Sequence, residues 1–206
     1  MGAFGWFWKA MGAQSERNDK KSKAIVESSS SATQELAALD DAAVAQAARD
    51  SVRDGEIADK ATFLAALAVA SERTLGMHPF IVQSQAVLRL LTGDVIQMAT
   101  GEGKTLVGAM AATGFALTGK RVHLVTVNNY LADRDAEWMR PLVEFFGLTV
   151  SSVTEKKTAD ERRAAYLCDI IYAPVNELGF DVLRDNQITD RSQTVQARAD
   201  VALVDE

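Results

Sequence analysis

The densest chemistry in the sequence lies in eight consecutive residues, Met98-Ala99-Thr100-Gly101-Glu102-Gly103-Lys104-Thr105. They follow a short apolar run, Val95 to Met98, and open an apolar helical pattern that begins at Leu106. A glycine-rich turn between a strand and a helix is a place where phosphates bind. Glycines at 101 and 103 let the backbone N–H groups of Thr100, Gly101, Glu102 and Gly103 converge without obstruction, and the helix N-terminus adds positive potential. Lys104 can then reach the β and γ phosphates of a nucleotide, and Thr105 can ligate magnesium. The strict pattern G-x-x-x-x-G-K-[ST] would put glycine at Met98, but the shorter T-G-x-G-K-T is met in full by Thr100 to Thr105.

A second chemical cluster closes the sequence. Val201-Ala202-Leu203-Val204-Asp205-Glu206 is an apolar strand pattern ending in two acids, which beside a phosphate loop reads as a Walker B motif. Asp205 is expected to bind magnesium through water and Glu206 to orient or activate the attacking water, with Lys104 the other catalytic group. ATP and Mg2+ are therefore the expected cofactors.

These residues need strands and helices to hold them. From Gly93 onward short apolar runs alternate with helical patterns: Val95 to Met98, Val122 to Val127, Leu148 to Val153, Asp169 to Ala173 and Val201 to Asp205. Such alternation implies an α/β fold, a parallel sheet with helices on both faces. Gly119 and Gly147 stand where helix C-terminal glycines belong. Upstream, helical spacing links Leu36, Leu39, Ala43 and Ala47 as far as Val52, and a further helix is expected from about Thr62 to Leu75. The serine run Ser28 to Ser31 reads as a flexible joint. The expected units are 1–31, an amphipathic and basic segment with its linker; 32–92, a helical lead-in; and 93–206, the nucleotide-binding core.

The 206 residues are 48% hydrophobic and 24% charged, enough for one substantial core. A net charge of -6 gives no domain-wide basic surface for neutralising many phosphates, so nucleic acid is not an expected partner. The single cysteine, Cys168, has no partner for a disulfide and no metal-ligand spacing, and is expected to be a small buried hydrophobe in a reducing cytoplasm. No run reaches the ~18 apolar residues of a membrane span, and no secretory signal is visible. The aromatics Phe4, Trp6, Phe7 and Trp8, followed by Lys9, Arg17, Lys20, Lys21 and Lys23, suit either an acidic membrane surface or docking on another part of the protein. His123, within a strand, reads as a satisfied core or edge histidine, and Lys156-Lys157 as solvated loop.

Longer stretches resemble the SecA family of preprotein translocase motors. The loop form T-G-x-G-K-T is shared with superfamily 2 helicase-like motors in general, with Met98 departing from their A-x-T-G-x-G-K-T, but Thr126 to Glu137 is similar to the SecA pattern T-V-N-D-Y-L-A-x-R-D-A-E, departing at Asn129. Asp169 to Asn186 resembles D-I-x-Y-G-T-N-N-E-x-G-F-D-Y-L-R-D-N, departing at Ala173, Pro174, Val175 and Val182. Met77, Phe80, Val82 and Gln83 match the segment that precedes the phosphate loop in the family. The departures, with the loop MATGEGKT, look like the accessory second SecA of some Gram-positive bacteria and their relatives.

The resemblance implies a RecA-like domain in which Gln83 reads adenine and Arg134 contacts nucleotide phosphate; a helix salt bridge is the alternative for Arg134. It also implies the SecYEG channel, preprotein substrates and the remaining SecA domains as partners, acidic phospholipids as a further one, and a cytoplasmic, membrane-peripheral location; homodimerisation is left open. A lone half-site, lacking the arginine of the opposite domain, is expected to turn over poorly. The rival reading is a superfamily 2 nucleic-acid helicase domain.

Overall fold

The computed structural model describes residues 3–197 and 199–205, with side chains from Lys20 onward outside residue 198. Helix α1, Ala3–Ala37, runs without interruption through the serine run. The expected joint is absent for a local reason: Ser28, Ser29, Ser30, Ser31 and Thr33 each donate a hydroxyl hydrogen bond back to a carbonyl three or four residues earlier. Val26, Ser29 and Leu36 are buried, and α1 lies along α3 (Lys60–Leu75) and α4 (Ile81–Leu91). Tertiary packing thus outweighs the weak helix preference of serine.

The helix expected from Leu36 to Val52 is split. Asp40 accepts from the Ala43 N–H at 2.8 Å and starts α2, Asp41–Asp50, as an N-cap. Between α2 and α3 a small antiparallel hairpin pairs β1, Val52–Arg53, with β2, Glu56–Ile57. Its two-residue turn is Asp54-Gly55, both at positive φ, the geometry that favours this dipeptide in tight hairpins.

The sheet is four-stranded and wholly parallel, in the order β4-β5-β3-β6, with β3 at Val122–Thr126, β4 at Val150–Ser152, β5 at Ile170–Pro174 and β6 at Val201–Val204. Alternation along β5 divides the core: Ile170 and Tyr172 join the larger apolar cluster, whereas Ile171 and Ala173 join a smaller one. The larger cluster is formed with α3, α4, α5 (Lys104–Leu117) and α6 (Asn129–Phe145). The smaller lies on the opposite face, with residues of α7 (Ala159–Tyr166), α8 (Val175–Gln187) and Val195. Both faces are covered, as the alternating pattern requires.

The strand expected at Val95–Met98 is not formed. The residues do alternate, with Val95 99% exposed and Ile96 and Met98 packed on the larger cluster, but no strand lies beside them among the described residues. An apolar alternation becomes a strand only where a neighbour shares its backbone hydrogen bonds. The aromatic side chains Phe4, Trp6, Phe7 and Trp8 and the basic Lys9 and Arg17 lie outside the described side chains, although their backbone belongs to α1. Cys168 is only half-buried, its thiol 3.9 Å from the Ala164 carbonyl, rather than the core hydrophobe expected. Lys157, expected in solvated loop, donates to the Ser152 carbonyl and the Ser151 hydroxyl.

Candidate nucleotide site

The phosphate loop turns where the two glycines permit it. Gly101 has φ +88° and Gly103 φ +79°, and Gly103 forms the N-cap of α5 with no side-chain cap. The first turn of α5 therefore begins at Lys104 and Thr105 with amide groups that no capping side chain occupies and no acidic residue nearby in that turn. This is the phosphate cradle that the glycine spacing implies. Within the loop, Glu102 N–H donates to the Ala99 carbonyl at 3.2 Å, and its carboxylate accepts from the Ala99 N–H at 2.7 Å.

Gln83 holds this loop in place. Its Oε1 accepts from the Phe80 N–H at 2.8 Å, closing the start of α4, and its Nε2 donates to the Glu102 carbonyl at 2.8 Å. A Cβ placed on Gly103 would come within 2.4 Å of Nε2, so the glycine is needed for this approach as well as for its φ. The amide retains one N–H and one lone pair, the pair an adenine edge would use. Beside it, Phe80, Ile81 and Val82 form an exposed apolar ledge. Arg134, in contrast, is paired with Asp135: its Nε and Nη2 lie 2.7 and 2.6 Å from the same Oδ1, with the guanidinium over the Tyr130 ring. The structure thus shows the helix pairing rather than an arginine held toward the loop.

Parallel register brings the two chemical clusters together. β3 pairs with β6 so that Leu124 lies opposite Leu203, and Asp205 N–H donates to the Val125 carbonyl at 3.0 Å, carrying the ladder one residue past β6. Asp205 therefore lines the same cavity as Lys104 and Thr105, a space of about 280 Å3 that also includes Asp135, Tyr172, Leu124 and Met98. A hydroxyl and a carboxylate are the hard oxygen donors that a phosphate-bound magnesium takes from protein, so the donor set fits that ion. When bound, the ion would neutralise charge on the phosphates. Glu206 lies outside the described residues.

Sequence reasoning missed what positions β6. Arg162, on α7, is buried and donates to Glu177 at 2.6 Å, Asp181 at 2.8 Å and the Thr154 carbonyl at 2.8 Å. Burial alone would favour releasing its proton, but the hydrogen bonds to Glu177 and Asp181 outweigh it and raise its pKa. Asp181 also accepts from the Tyr166 hydroxyl at 2.9 Å and from Arg184 at 2.9 Å. Asp185 accepts from the N–H groups of Val195 and Gln196, both at 2.9 Å, and the Gln196 amide donates to the Leu178 carbonyl. The conspicuous N-E-L-G-F-D-V-L-R-D stretch therefore ties α8 to α7 and to the segment leading into β6. Its acids and arginine were visible in the sequence; their partner Arg162 carried no motif. His123 is buried against Tyr166, ring centroids 5.7 Å apart, and desolvation lowers its pKa, as a core histidine requires.

A glycine-turn phosphate cradle at a helix N-terminus, facing an acid at the end of a parallel strand, defines a RecA-like nucleotide-binding domain of the P-loop class. The SecA DEAD-like domain matches residues 7–206, and the chain belongs to that family. It is 64% identical over its whole length to the protein translocase subunit SecA 2 of Corynebacterium glutamicum, covering 27% of that protein. It is 52% identical over 203 residues to SecA 2 of Mycolicibacterium smegmatis and 52% identical over 206 residues to SecA 3 of Mycolicibacterium vanbaalenii, covering 26% of each. The chain thus spans about a quarter of the length of these relatives, and its similarity is to accessory SecA proteins.

Proposed function

We propose that this chain is the ATP-binding part of a SecA-type protein translocase motor, in which ATP hydrolysis drives preproteins through the SecYEG channel. The observation that carries the reading is the shared cavity of Lys104, Thr105 and Asp205 beneath a glycine-turn phosphate cradle. Lys104 and the amide groups of α5 bind phosphate, Thr105 and Asp205 hold magnesium, and Glu206 prepares the attacking water. Gln83 selects adenine with the remaining amide N–H and lone pair, over the ledge of Phe80 to Val82. Arg134 leaves Asp135 to meet nucleotide phosphate. The remaining domains of the longer protein supply the opposing arginine, so this chain alone binds ATP weakly and turns over slowly. The aromatic, lysine-flanked N-terminus meets acidic phospholipid, which places the protein at the cytoplasmic face of the membrane; among the described residues no helix is long and apolar enough to cross it.

A superfamily 2 helicase is the reading these relatives do not favour, and the acidic balance offers nucleic acid little attraction. The test is titration of a fluorescent ATP analogue with magnesium against this chain, Lys104→Ala and Gln83→Ala, with GTP as competitor. Saturable binding lost in both variants, with GTP competing poorly, is expected. Equal competition by GTP would sink the role of Gln83, and undiminished binding by Lys104→Ala would sink the site itself.

A further inference from the structure

Tyr172 is, with Tyr166, one of the two largest fully buried side chains in the core. It stands in the middle of β5, 1% exposed, and among the described residues its hydroxyl is the one buried side-chain oxygen or nitrogen without a hydrogen-bond partner. A buried hydroxyl left unpaired costs roughly 1–3 kcal/mol, so a phenol at such a place calls for a use.

Its surroundings suggest that use. Across the sheet, Tyr172 lies opposite Leu124, and Leu124 opposite Leu203, so the three side chains form one row on the α5 face. Asp205, two residues beyond Leu203, falls on that same face by strand alternation. Tyr172, Asp205, Asp135, Lys104 and Thr105 all line the same cavity of about 280 Å3, which is roomy and polar enough to hold several waters. Asp135 is buried beside it, held by Arg134 through Oδ1. We propose that Tyr172 is a positioning residue: its hydroxyl donates, through water in this cavity, to the carboxylates of Asp135 and Asp205, and so fixes the direction in which Asp205 meets magnesium. Burial first, and then the negative charge of Asp135 and Asp205, push the phenol's pKa far up, which keeps it a donor at every physiological pH.

The proposal rests on the reading of Asp205 as the magnesium-binding acid, and its test separates the two. Tyr172→Phe, Asp135→Asn and Asp205→Asn are compared with the unaltered chain by nucleotide titration with magnesium, titration with EDTA, and thermal melting without nucleotide. Tyr172→Phe is expected to lower the melting temperature and to weaken magnesium-dependent binding about 5- to 10-fold while leaving metal-free binding unchanged. Asp135→Asn should act in the same direction, and the double variant should be no worse than the more severe single one. A higher melting temperature for Tyr172→Phe would mean the hydroxyl is a buried cost with no partner, and would overturn the proposal even where nucleotide binding is too weak to titrate. A lower melting temperature with magnesium dependence intact would leave the hydroxyl structural and likewise overturn it. Should Asp205→Asn itself keep full magnesium dependence, the reading of Asp205 fails; should only Asp205→Asn lose it, the role of Tyr172 alone fails.

Discussion

Replacing Arg162 by alanine is expected to be among the most damaging single changes in this chain outside the phosphate loop. The arginine, Glu177 and Asp181 have side chains only 6%, 6% and 1% exposed. Removing the cation leaves Asp181 with Tyr166 and Arg184, but among the described residues leaves Glu177 with only a 3.5 Å contact from Asn176. Breaking a buried pair by deleting one partner costs about 3–5 kcal/mol, because a buried charge is stranded. Against a total stability of about 5–15 kcal/mol this is a large share, and at about 2–4 °C per kcal/mol for a chain of this size it corresponds to a fall in Tm of roughly 6–20 °C. Urea unfolding of Arg162→Ala, followed by circular dichroism, measures the loss directly. Adding Glu177→Gln and Asp181→Asn to Arg162→Ala should restore part of it, since the stranded charges are then removed. A loss below about 1 kcal/mol, the size of an exposed ion pair, would refute the view that this triad holds α7 and α8 together.

Gly103→Ala places a side chain at φ +79° and 2.4 Å from the Gln83 amide, so it should weaken nucleotide binding at least 10-fold in the same fluorescence titration; unchanged affinity would show that the loop relaxes freely. Burial lowers the pKa of His123 in the folded protein, so the unfolded chain binds more protons: full stability is present above the unfolded value near 6.5 and is lost as pH falls through it toward the folded one. His123→Phe should therefore flatten the dependence of urea midpoint on pH below about 6.5, and a slope identical to that of the unaltered chain would count against it. Burial also raises the pKa of Tyr166 and Tyr172, two of the three tyrosines in the sequence. Absorbance at 295 nm should accordingly gain their share only as the protein unfolds in alkali; full ionisation with native circular dichroism would contradict their burial.

The parallel sheet, its flanking helices and the meeting of the phosphate loop with β6 were legible because each rests on a local pattern. The short apolar run at Asp169 to Ala173, glycine spacing at 101 and 103, and an apolar run ending in Asp205 need no distant partner to be recognised. What was not legible depends on neighbours. Val95–Met98 has strand alternation but no ladder partner among the described residues; Ser28–Ser31 has the composition of a joint but lies in a helix packed on α3. Arg162 has no signature because its role exists only once α7 is laid against α8. Gln83 was legible as a chemical group, and its hold on the loop was not, since Glu102 is distant in sequence and the contact is to a backbone carbonyl.

The two hydrogen-bonded assemblies divide the work of the site between the faces of the sheet. On one face, Gln83 fixes the loop that carries Lys104 and Thr105, through a single amide bonded to α4 and to Glu102 at once. On the other, Asp185 and Gln196 anchor the segment before β6, and the Arg162 triad anchors α8 beneath them. Phosphate loop and Asp205 thus reach a common cavity from supports that share no side chain. Catalytic geometry of this kind tolerates errors of only about 0.5 Å, so each support must be stiff by itself. A change to either assembly should then alter nucleotide binding without unfolding the opposite face, and the family-specific stretch in α8 acts as a brace for the strand that leads to Asp205 while contributing no residue to the cavity lining.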